Sequence, residues 1–135
     1  MQSPVVYGLF ALLLAGAAAT GSVLVVRFLR IRYKLEYTLA FVERFRKLVE
    51  GIKGGVLDER ALAWLKAHAQ RMQRLLGDRG RIEYWSPQGN YIERNFEVVV
   101  RTVQEIEGGG YSDYLAAECQ LTLINFLTAL ERRYR

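Results

Sequence analysis

The chain has 135 residues, 51% of them hydrophobic, and a formal charge of +5 with one histidine and one cysteine. A single His68 and a single Cys119 leave no ordinary zinc-ligand spacing and no supported Ser–His pair. A lone cysteine forms no internal disulfide, in keeping with a reducing compartment. The length admits one domain and one accessory element, and the apolar residues are divided unequally between them.

The accessory element comes first. No charged side chain occurs from Val5 to Val26. As a helix this run is about 33 Å long at about 1.5 Å per residue, enough to span a bilayer core of about 30 Å. Arg27, Arg30, Arg32 and Lys34 follow it at once, and the chain from Leu35 onward holds 15 basic against 14 acidic residues. The excess charge is therefore a juxtamembrane cluster that fixes topology and attracts anionic lipid, and nucleic acid is not an expected partner. Small residues in "AGAAATGS" (15–22) resemble a cleavage site, but the positive charge follows the apolar run, which continues through "VLVV". The segment reads as a retained signal-anchor in an inner (plasma) membrane, with the N-terminus outside and the rest cytoplasmic. Gly8, Ala11, Ala15, Ala18 and Ser22 recur at three and four, a seam on which a second helix could pack.

Residues 1–33 are thus expected to form the anchor with its basic flank, and residues 34–135 a cytoplasmic bundle of about four helices, an all-α fold. No Gly or Pro occurs between Gly21 and Gly51, so the membrane helix is expected to run on into the bundle. There Tyr37, Phe41, Phe45, Leu48 and Ile52 form an apolar stripe, widened by Leu35, Leu39, Val42 and Val49. A second helix is expected over about 58–77, with Asp58 as N-cap, Gly77 as its stop, and Leu62, Leu65, Ala69, Met72 and Leu76 facing the core. "SPQG" reads as a turn. Asn90 and Glu93 have capping-box spacing, so a third helix is expected from Asn90, with Ile92, Phe96, Val99, Val103 and Ile106 on one face. A hairpin competes with it, since "RIEY" alternates and "EVVVRTV" is β-branched; the five-fold helical match is preferred. The last helix is capped by Ser112 and packs through Leu115, Cys119, Leu123, Phe126 and Leu130, with Tyr114, Leu121 and Ile124 broadening that face.

Chemistry-bearing motifs are few. "GIKGG" and "GGG" lack the order of a phosphate-binding loop and read as linkers. Glu93, Glu97, Glu105 and Glu107, interspersed with Arg94 and Arg101, read as a solvated helix face. Cys119 falls on a packing stripe and His68 on an ordinary helix surface. Tyr84, Trp85 and Tyr91 cluster with arginines around a turn, the residue types that dominate interface hot spots, and are assigned to partner docking. The expected protein is a non-catalytic, single-pass accessory, assembly or scaffold subunit without cofactor or metal. Its partners are lipids and other protein subunits, including its own membrane helix. The alternative is a small toxin or defence effector whose spans assemble to perturb the bilayer.

Overall fold

With nothing to break it between Gly21 and Gly51, the chain forms one continuous helix, α1 (Pro4–Lys53). The computed structural model describes residues 4–86 and 89–134. At about 1.5 Å per residue α1 is about 75 Å long. Every residue from Pro4 to Arg30 is exposed, and this part is long and apolar enough to cross a membrane. Farther along, Thr38, Phe41, Phe45, Leu48 and Val49 are buried, so the same helix supplies one wall of the core.

The chain then returns as α2 (Glu59–Leu76), whose first turn is capped by Asp58 Oδ1 accepting from the Ala61 amide at 3.1 Å. Tyr37 meets His68 and Phe41 meets Trp64, which sets α2 antiparallel to α1. Gly77, at φ 57°, ends α2, and a short 3-10 turn (Gly77–Gly80) leads into the hairpin β1 (Arg81–Ser86) and β2 (Tyr91–Glu97). Helix α3 (Val98–Glu107) runs back along α2, and α4 (Asp113–Tyr134) returns toward the apolar segment. There Tyr134 stacks on Phe28 with ring centroids 5.4 Å apart. The core lies among the four helices and includes Phe45, Leu65, Met72, Val99, Leu115 and Leu123.

The hairpin corrects the expected third helix. Asn90, expected as its N-cap, sits at φ 52° in the turn, and helix begins only at Val98. Pro87 and Gln88 of the expected turn lie outside the described residues; Asn90 N donates to Ser86 O at 2.9 Å. The register shifts between Ile82 and Tyr84, where β2 carries an extra residue and Asn95 lies at φ 57°. Such a bulge reverses the alternation of faces. Ile92 and Phe96, four apart, therefore lie on opposite faces of the hairpin, although their spacing matches one face of a helix. Val99, Val103 and Ile106 keep the helical spacing and are buried in α3. Smaller departures concern exposure: Leu39 on α1 and Tyr114, Leu121 and Ile124 on α4 face outward.

Gln73 ties the hairpin end of the bundle together. It falls on the packing stripe of α2, four residues after Ala69, and is buried. Its Nε2 donates to Gly80 O at 2.8 Å, and its Oε1 accepts from Val99 N at 2.9 Å and Val100 N at 3.4 Å. The residue preceding α3, Glu97, makes no side-chain cap, so Gln73 satisfies the first amides of α3 from another helix. The approach is close: a Cβ on Gly80 would lie 2.6 Å from Gln73 Nε2. Replacing Gln73 by Leu strands buried backbone donors and an acceptor and should lower stability by about 2–4 kcal/mol. Thr38 makes the opposite case, since its hydroxyl is buried with no hydrogen-bond partner among the described residues. Thr38→Val should raise stability by about 1 kcal/mol. Urea unfolding in mild detergent measures both; equal effects of the two substitutions would refute this account.

Candidate functional site

The hairpin offers two chemically different faces. Its inner face carries Tyr84, whose ring stacks on Phe96 at 4.5 Å between centroids and lies 6.1 Å from that of Tyr114. Tyr84 is only 8% exposed and belongs to the core, where burial foremost, then the Glu105 charge and Tyr114, raise its phenol pKa. Its outer face carries the cross-strand pair Trp85 and Ile92, 54% and 62% exposed. Tyr91, also 54% exposed, stands opposite Ser86 at the turn. The three aromatic residues expected to form one docking surface are thus divided. Tyr84 is core, Trp85 lies outside, and Tyr91 stands at the rim of an inner cleft. Ile92, which sequence reasoning placed in a helix core, is the neighbour that Trp85 has instead.

The inner cleft, about 470 Å³, lies between the hairpin and the α3–α4 connection, with Ser86, Glu93, Tyr111 and Ser112 among its walls. Glu93 faces this cleft from a strand. Arg101 spans to it in a two-pronged ion pair, Nη1 to Oε1 at 3.0 Å and Nη2 to Oε2 at 3.4 Å. The same guanidinium lies 4.8 Å over the Phe96 ring, so Arg101 is committed to holding β2 against α3. Tyr111 has a buried hydroxyl without a well-formed hydrogen bond among the described residues; burial first, and then the neighbouring Asp113 carboxylate, push its phenol up to about 12. The cleft is polar and structurally braced, and among the described residues the Glu93 carboxylate is engaged by Arg101.

His68 is half-buried in a ladder between α1 and α2. Its ring stacks on Trp64 at 4.1 Å, and the Arg44 guanidinium lies 3.9 Å over the other ring. The Tyr37 hydroxyl donates to the His68 carbonyl oxygen at 3.3 Å and lies 2.9 Å from His68 Nδ1, a contact whose direction follows the imidazole tautomer. Arg71 sits 5.2 Å over Tyr37 and 5.3 Å over Tyr33. Burial is the main cause that raises the Tyr37 phenol pKa, against the lowering effect of Arg71. These contacts are cation–π and stacking interactions that join the two helices. Among the described residues no three His, Cys, Asp or Glu side chains converge as metal ligands would.

The seam Gly8, Ala11, Ala15, Ala18 and Ser22 lies along the exposed half of α1, and a Cβ at Gly8 would meet no described atom within 4 Å beyond the local helix backbone. The basic collar is exposed at Arg27, Arg30 and Arg32 and half-buried at Lys34, and Arg32 pairs with Glu36 at 3.1 Å. The fold and these sites define the class, an α-helical bundle with one inserted hairpin, built on the end of a long apolar helix. The chain matches no known family model, no curated protein and no solved structure.

Cys119 is fully buried, and burial pushes its thiol up to about 12 against the smaller lowering effect of a Thr102 hydrogen bond. Maleimide at neutral pH should therefore leave the folded protein unlabelled and label it only on unfolding. An unfolded thiol ionises near pH 8.5 while the folded one keeps its proton, so stability should fall as pH rises from there toward about 12. The raised phenols of Tyr37, Tyr84 and Tyr111 act with the same sign at their own, higher onset. Labelling of the native protein at the rate of a free thiol would contradict this.

Proposed function

We propose that this protein is a non-catalytic, single-span membrane protein that docks another protein subunit on its helical domain, as an accessory or scaffold component of an inner-membrane complex. The observation that carries this reading is the exposed Trp85–Ile92 pair on the outer face of the hairpin, whose other face is fixed to the bundle by Tyr84 and Phe96. A two-stranded hairpin is marginal by itself; held rigidly from behind, it presents an aromatic and an aliphatic anchor at small entropic cost. Aromatic anchors of this kind dominate binding energy at protein interfaces.

The basic collar supports a cytoplasmic placement of the domain, by the bias of Lys and Arg toward that side. The exposed small-residue seam supports a further contact within the membrane, where small side chains let helices approach closely. The stacked and hydrogen-bonded His68 and the sealed Cys119 support a structural role for the residues best suited to catalysis.

Extraction in mild detergent should yield a particle larger than the monomer on native gels. The double substitution Trp85→Ser/Ile92→Ser should make that particle smaller by the docked subunit, with helical circular dichroism unchanged. A wild-type protein that is strictly monomeric and free of partners would refute the proposal.

A further inference from the structure

Three cations far apart in sequence meet at the end of the bundle nearest the apolar segment. Lys34 of α1, Arg79 of the 3-10 turn and Arg133 of α4 line one cleft of about 310 Å³, with Leu75 and Phe126 on its floor. None of the three forms an ion pair with a described acidic side chain. Among the described residues that line the cleft the one carboxylate is Asp78, which lies 3.9 Å from Arg81, so this lining keeps a positive excess.

The position of the cleft follows from α1 and α4. Lys34 lies about 12 Å along the helix axis beyond Val26, the end of the uncharged run, and helical side chains lean toward the N-terminus, here back toward that run. Arg133 precedes Tyr134, whose ring stacks on Phe28, two residues past Val26. Beyond a bilayer core of about 30 Å the headgroup layer adds about 5–8 Å on each side. The cleft therefore opens at or just above that layer, with cations from three elements and an apolar floor.

We propose that this cleft binds the phosphate-bearing headgroup of an anionic phospholipid. Lys34, Arg79 and Arg133 would hold the phosphate oxygens, and Leu75 and Phe126 would cover the glycerol end. A charge-assisted contact from a guanidinium or ammonium to phosphate is among the stronger hydrogen bonds, and three separate elements would be clamped by one ligand. The apolar floor suits a lipid better than a free phosphate ion. The proposal rests on the membrane reading of α1 but not on protein docking at the hairpin.

The test uses the full chain in nanodiscs of phosphatidylcholine alone and of phosphatidylcholine with phosphatidylglycerol, read by thermal unfolding. Wild type should melt several degrees higher in the anionic discs, since a ligand bound only by the folded state stabilises it. The variant Lys34→Gln/Arg79→Gln/Arg133→Gln should lose that shift. A control that removes three cations elsewhere, Lys47→Gln/Lys53→Gln/Arg94→Gln, should keep it. If the triple variant loses its helical signal, the single variants Arg79→Gln and Arg133→Gln should each show a reduced shift. Equal shifts in the cleft and control variants would overturn the proposal. So would the full shift produced by inorganic phosphate in phosphatidylcholine discs, which would make the ligand a soluble anion. Failure of the wild-type chain to insert into either disc would sink the membrane reading and this proposal with it. Loss of partner binding alone would leave the lipid shift intact.

Discussion

The continuity of α1 is the constraint on which the rest of the structure depends. A membrane anchor joined to its domain by a flexible linker leaves that domain free to rotate. Here one hydrogen-bonded helix is apolar and exposed over its first half and forms a wall of the core through Phe41, Phe45 and Leu48. The change from one environment to the other occurs within a few turns around the basic collar. Because helix α4 returns antiparallel as far as Phe28, the packed part of the molecule extends almost to the apolar run. The orientation of every other element relative to that run is therefore fixed by packing.

A second dependence concerns how α2 hands over to α3. A ten-residue helix is marginal by itself, and α3 starts without a side-chain cap of its own. Its first amides are satisfied by Gln73 from α2, and the same side chain holds Gly80 at the entrance to the hairpin. The hairpin can leave and re-enter the bundle at nearly one point because one buried amide serves both of its ends. A buried amide with its donor and acceptor both engaged specifies a single geometry, whereas an apolar residue there would tolerate several. Arg101 repeats the device at the exposed side, pairing with Glu93 while it covers Phe96.

The sequence made the helices legible wherever one period held. α1, α2 and α4 have long stripes with a cap or a glycine at an end, and the structure places Asp58, Gly77 and Ser112 in those roles. The hairpin was illegible for a specific reason. The bulge at Asn95 breaks the two-residue period halfway along β2, which leaves Ile92 and Phe96 at a spacing that imitates a helix. The strand propensity of "RIEY" agrees with the hairpin, whereas the helical spacing that follows it competes. Gln73 left a trace that could have been followed, a polar residue on an otherwise apolar stripe. The division of Tyr84 from Trp85 follows from alternation as soon as the strand is known, and from nothing before that.

The sequence shows the total charge but only part of its distribution in space. The run Arg27, Arg30, Arg32 and Lys34 accounts for nearly all the excess in sequence, which suggests a collar around one helix and nothing more. Folding adds Arg79 from residues after α2 and Arg133 from the far end of the chain to the same end of the bundle. Like charges brought together repel, and topology alone needs only the cations beside the apolar run. A fold that gathers distant cations around an apolar floor, with one carboxylate among them already turned toward Arg81, concentrates positive potential where a negatively charged surface would lie. An anion at that place would offset the repulsion, and would do so while bridging α1, the turn after α2 and the end of α4. Lipid binding and the rigidity of the domain on its anchor then become one property: the ligand would clamp the three elements whose packing fixes the domain against α1.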